Sequence, residues 1–149
     1  MAAPSALTLY DPFKQYLGDG TIDLDTDTIK CLIVSSAYTP SAAHSVLADI
    51  TNEVANGNGY TTGGVALTGA TYLQTAGVAA FKSNNPAWTG ASAGFTGRRY
   101  IFYKLGTANA KVNPLIGHGL LDSANADVSF AAGNTVTLTM NAAGWFTNT

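Results

Sequence analysis

The feature that most constrains this chain is how often it is interrupted. From Gly64 to Thr149, glycine and asparagine recur so often that no segment between them has the length of an ordinary helix. What lies between the interruptions is β-branched and aromatic. In the stretch Thr135 to Met140, Val136, Leu138 and Met140 alternate with three threonines. That period of two belongs to a strand that is dry on one face and wet on the other. Arg98 to Leu105, with Tyr100, Ile101, Phe102 and Tyr103 at its centre, has the propensity of a central strand. Further strands are predicted at Val65 to Thr71, Tyr72 to Ser83, Pro86 to Thr89, Leu115 to Leu121 and Asp127 to Phe130. Short strands broken about every 8–12 residues predict a mostly β chain, folded as a jelly-roll-like β-sandwich.

Before this region the pattern differs. Asp11 to Gly18 is the one well-signed helix. Asp11 is placed to cap it, Pro12 suits its first turn, and Gly18 is placed to end it. Phe13, Tyr16 and Leu17 share one face, and so short a helix must be held by packing of that face. Thr28 to Ser36 reads as a strand buried on both sides. Val46 to Ile50 suits a single helical turn, and Asn56-Gly57-Asn58-Gly59 is a strong turn signal. No fixed-period repeat and no linker divides the 149 residues. They are expected to form one sandwich domain over 10–149, preceded by a weakly charged N-terminal arm over 1–9. That arm either extends over a neighbour and orders on binding or frays.

Charge narrows the function classes. Only 11% of residues are charged, with 7 Lys and Arg against 9 Asp and Glu. A free-standing nucleic-acid binder needs a basic face, which is missing. Low net charge and 10% aromatics argue against disorder. Acidic residues cluster between Asp11 and Asp27, whereas Tyr60 to Leu121 carries only Lys82, Arg98, Arg99, Lys104 and Lys111. The single cysteine, Cys31, excludes an internal disulfide and reads as a small buried hydrophobe. The first residues lack the basic and apolar regions of a signal peptide, and no apolar run suits a membrane helix. A soluble chain made in a cytosol is expected.

Motifs for chemistry fail on spacing. Asp23, Asp25 and Asp27 have the alternation of a calcium loop, but Thr28 and Val34 stand where its glycine and glutamate belong. They read better as the wet side of an edge strand. His44 and His118 have no third metal ligand at workable spacing. His118 reads as a half-buried strand residue between close-packed Gly117 and Gly119. There is no nucleophile elbow, and the glycine-rich stretches lack the spacing of a phosphate loop. No enzyme, metal or cofactor is expected. Trp88 and Trp145 are the two aromatics best suited to a sugar platform. Of Arg98 and Arg99, strand alternation sends one inward and one outward, and one of them suits an ion pair at a subunit interface.

Several stretches resemble a known family. Leu9-Tyr10-Asp11-Pro12-Phe13-Lys14 with Tyr16-Leu17-Gly18, then Ile22 to Lys30, resemble small structural proteins of tailed bacteriophages, the head decoration or cement proteins. Val46 to Ile50, Asn58 to Gly64, Arg99 to Tyr103, Pro114 to Gly117, Asp127 to Phe130 and Gly133 to Leu138 extend the resemblance over nearly the whole chain. It implies a β-rich virion protein, made in the host bacterial cytoplasm, that trimerises on the outer surface of the capsid. Its partner would be the major capsid protein, whose neighbouring subunits it would clamp after head expansion. Neither nucleic acid nor membrane is implied. The interface candidates on this reading are Leu7, Leu9, Tyr10, Phe13, Trp88, Arg98, Arg99 and Trp145. The alternative is a glycan- or receptor-binding module of a tail or head fibre, which an exposed Trp88 or Trp145 beside an open groove would favour.

Overall fold

The computed structural model describes residues 2–149. In chain order the elements are β1 (Thr8–Leu9), α1 (Asp11–Gly18), β2 (Ile29–Val34), β3 (Val65–Ala66), β4 (Thr71–Thr75), β5 (Val78–Lys82), β6 (Ala87–Thr89), β7 (Phe95–Gly97), β8 (Arg99–Lys104), β9 (Thr107–Ala108), β10 (Lys111–Val112), β11 (Leu115–Leu120), β12 (Val128–Phe130), β13 (Thr135–Thr137) and β14 (Phe146–Asn148). A short 3-10 turn covers Leu47–Asp49, where a single helical turn is expected from the sequence. None of the described helices is long and apolar enough to cross a membrane.

The aromatic strand β8 is central, as its composition predicts. It lies inside a five-stranded antiparallel sheet of order β1-β11-β8-β2-β3. Alternation along β2 and β8 splits the side chains between two cores. Ile29, Cys31, Ile33, Tyr100 and Phe102 enter the larger one. Leu32, Val34, Ile101 and Tyr103 enter a smaller one on the opposite face, with Tyr10, Tyr38 and Leu115. The continuous apolar run of β2 is thus explained by cover on both faces. Burial pushes the Cys31 thiol well above the usual range, away from the thiolate.

Against the larger core lie small antiparallel sheets: β12-β7, β13-β6 and β14-β5-β4. Their contribution is largely aromatic. Trp145 meets Phe102 edge-on at 4.9 Å, Phe81 meets Phe102 edge-on at 6.4 Å, and Phe95 stacks on Phe130 at 4.2 Å. Such a pair contributes about 0.5–1.5 kcal/mol beyond the burial of its rings. The result is a mostly β sandwich with one short helix. A jelly-roll connectivity does not follow from this strand order.

The N-terminal segment corrects the expectation of a separate arm; of that arm, only Met1 lies outside the described residues. Ala2 N–H donates to the Asp122 carboxylate at 2.9 Å, Ser5 N–H to the Leu120 carbonyl at 3.0 Å, and β1 pairs with β11. Leu7 is buried. Two glycines make this docking possible. A Cβ at Gly117 would lie 2.6 Å from the Thr8 carbonyl oxygen and 2.9 Å from Leu7 Cγ, and one at Gly119 would overlap the Tyr100 ring.

Other local differences have identifiable causes. Asp11 does not cap α1; Tyr10 holds the N-cap position without a side-chain bond, and the Asp11 carboxylate pairs with Lys14 at 2.9 Å. Asp23 to Asp27 is a turn rather than an edge strand. Asp25 N–H donates to the Asp23 carboxylate at 3.0 Å and Asp23 N–H to the Asp27 carboxylate at 2.7 Å, so the carboxylates fold the loop themselves. Tyr72 to Ser83 is not one strand but the hairpin β4–β5. It turns at Ala76 and Gly77, both at positive φ (53° and 87°).

Candidate functional site

One cluster of polar side chains lies at the smaller core; a second joins Asp19, Thr21 and Asn109 to Lys104, whose Nζ pairs with the Asp27 carboxylate at 2.8 Å. Arg99 shares its face of β8 with Ile101 and Tyr103, and His118 stands across the ladder from Ile101. Chain from the segment after β2 covers this face. Tyr38 from that segment places its hydroxyl 2.8 Å from the Tyr10 hydroxyl and 2.8 Å from His44 Nδ1. The His118 ring lies 5.1 Å from that of Tyr10. The segment is closed by Asp49, whose carboxylate accepts from Ser45 N–H at 2.8 Å and Val46 N–H at 3.1 Å. Those two bonds hold it below the usual carboxylate range.

Electrostatics keeps this cluster uncharged at its centre. Burial, then the charges of Arg99 and His44, lowers the His118 pKa to about 4. Its Nδ1 is buried without a partner among the described residues. Burial raises the Tyr10 and Tyr38 hydroxyls further above their ordinary value. Among the described residues no group of three His, Cys, Asp or Glu side chains could hold a metal ion.

The two arginines do not separate into one inward and one outward: both are half-buried, and Arg98 precedes β8 rather than lying in it. Arg98 pairs within the chain, its Nε donating to the Asp127 carboxylate at 2.7 Å and its Nη1 to Asn125 at 3.3 Å. Arg99 is half-buried, with no carboxylate within ion-pair distance among the described residues.

Five of the eight interface candidates lie inside the chain's own core. Leu7, Tyr10, Phe13, Trp88 and Trp145 are all buried. Phe13 meets Phe146 edge-on at 5.6 Å, Trp88 meets Phe130 edge-on at 6.2 Å, and Trp145 Nε1 donates to Ser83 Oγ at 2.8 Å. With so few charged residues, the large rings are what fills this interior, and they are not left over for a partner. Leu9 is only half-buried and, with Leu17 and Phe146, lines a groove of about 350 Å³ between α1 and β14.

Exposed apolar surface lies elsewhere, on residues that sequence reasoning passed over: Leu105 and Val112 beside the β9–β10 ribbon, 48% and 58% exposed, and the outer face of the β4–β5 hairpin. The sheet β14-β5-β4 packs Phe81 inward and leaves its other face open. On that face Leu73 is 63% exposed and Val78 36%. With Ala80, Thr71, Thr75 and Thr147 they line a depression of about 340 Å³, in which Lys82 is the only charged residue. At the β4 edge, the Asp25 carboxylate accepts the Tyr72 N–H. The signal was the alternation Thr71, Leu73, Thr75. It was hidden by reading the hairpin as a single strand, which leaves the two faces unassigned.

Comparison with known proteins finds no family model, no curated relative and no solved structure that matches this chain.

Proposed function

We propose that this chain is a decoration protein of a tailed-bacteriophage head. It binds the outer surface of the expanded capsid, as a homotrimer that clamps neighbouring subunits of the major capsid protein. The observation that carries the reading is the open face of β14-β5-β4, where Leu73 and Val78 stand in solvent beside a single lysine. Apolar side chains grouped on one face, with few charges, are the composition of an interface core. The resemblance of the sequence to decoration proteins supplies the partner.

The mechanism is mass action. A protein that binds only the expanded lattice stabilises that lattice, by about 2.7 kcal/mol per site when it is present at 100 times its Kd. No chemical step is required for this.

The rival reading as a glycan-binding module loses its particular support, because Trp88 and Trp145 are both buried. Mixing the purified protein with expanded and unexpanded heads, and imaging both, tests the proposal. Density on expanded heads alone is expected. Absence from both, with binding to cell-surface glycan, would overturn it.

A further inference from the structure

We propose that Asn58 is a site of spontaneous deamidation, and that Asn56, in the same Asn-Gly context two residues earlier, is protected. In this reaction the backbone nitrogen of the following residue loses its proton and attacks the side-chain amide carbon. A C–N bond forms, the side-chain nitrogen leaves as ammonia, and a cyclic imide results. Water then opens either imide carbonyl, leaving aspartate or isoaspartate. The balance is one water in and one ammonia out, with no oxidant or other reactant. The step needs a glycine-like neighbour without a Cβ, a backbone N–H free of an acceptor, and a side-chain amide free to swing.

The two sites differ on each of the last two requirements. Gly57 N–H, the nucleophile for Asn56, donates to the Tyr60 carbonyl at 2.8 Å. The Asn56 side-chain oxygen is itself engaged, accepting Thr62 N–H at 3.2 Å. Asn58 and Gly59 instead form the centre of a two-residue turn closed by Gly57 and Tyr60. Both sit at positive φ, 54° and 98°, as a turn of this kind demands. Among the described residues, Gly59 N–H has no acceptor and the exposed Asn58 side chain has no hydrogen-bond partner. Only the Asn58 carbonyl is tied, accepting Ala91 N–H at 2.8 Å.

The modification would matter to the fold because of what the turn touches. Gly59 is pressed against the backbone of Thr89 to Ala91, and a Cβ there would overlap the Thr89 carbonyl oxygen. Isoaspartate lengthens the backbone by one methylene at this contact and places a carboxylate in a turn that has none.

Peptide mapping tests this on the full-length native protein aged in mildly alkaline buffer, with fragmentation that separates the two asparagines and distinguishes isoaspartate. The urea-unfolded chain, aged alongside, is the control in which both asparagines should react. In the native protein the mass gain of amide-to-acid conversion is expected at Asn58, with Asn56 intact, and Asn58→Ser should abolish the gain. Reaction at Asn56 as fast as at Asn58, or no reaction at Asn58 while the unfolded control reacts, would overturn the proposal.

Discussion

The Tyr100 ring lies directly over Gly119, its partner across the β8–β11 ladder, in the space that any other residue's Cβ would fill. From there the Tyr100 hydroxyl donates to the Ser5 carbonyl at 2.8 Å, so one contact ties the central strand to the docked N-terminal segment. Gly119→Ala should therefore destabilise the protein by about 1–3 kcal/mol through overpacking. Urea unfolding of the variant measures the change, and its amide exchange should rise at Ser5 first. Wild-type stability in this variant would contradict the contact.

Tyr38 links Tyr10 to His44 through one hydroxyl. Tyr38→Phe leaves the fully buried Tyr10 hydroxyl without its partner, which should cost about 1–3 kcal/mol. The double variant Tyr10→Phe with Tyr38→Phe removes the stranded group as well and should recover part of the loss. A double-mutant cycle by urea unfolding gives both numbers; strict additivity would show that the two hydroxyls do not act together.

His118 makes stability depend on pH with a definite sign. Its pKa is about 4 in the folded chain against an ordinary value of 6.5. Between these values the unfolded chain binds the proton and the folded chain does not. This contribution to stability is complete above about pH 6.5, falls as pH drops toward 4, and then levels off. The slope from this group is at most about 1.4 kcal/mol per pH unit, and less for its partial exposure. Urea midpoints across this range should show the fall, and His118→Phe should flatten it. Arg99→Gln removes one of the charges that lower the His118 pKa, so an imidazole NMR titration of that variant should show an upward shift.

Much of the fold was legible from local pattern. The central placement of β8 followed from its aromatic run, the double burial of β2 from its unbroken apolar stretch, and α1 from Pro12 and the Phe13–Tyr16 face. What was missed depended on contacts distant in sequence or on turn chemistry. Nothing local distinguishes Trp145 in a core from Trp145 on a surface; its place is set by Phe102 and Ser83, both far along the chain. Nor does local pattern show that Gly117 and Gly119 open a slot for residues 5–9. The hairpin at Ala76-Gly77 was obscured because alanine seldom takes positive φ. That one turn decides that Leu73 and Val78 share an open face.

The central claim rests on that face, and occupancy of expanded heads by wild type and by Leu73→Asp tests it most directly. Leu73 is largely in solvent, so the substitution should leave the thermal midpoint of the free protein nearly unchanged. A carboxylate placed in the depression should nevertheless sharply reduce the density seen on expanded heads by cryo-electron microscopy. Full occupancy by a folded Leu73→Asp protein would contradict the assignment of this face to the capsid, and failure of the wild type to bind would contradict the decoration role itself.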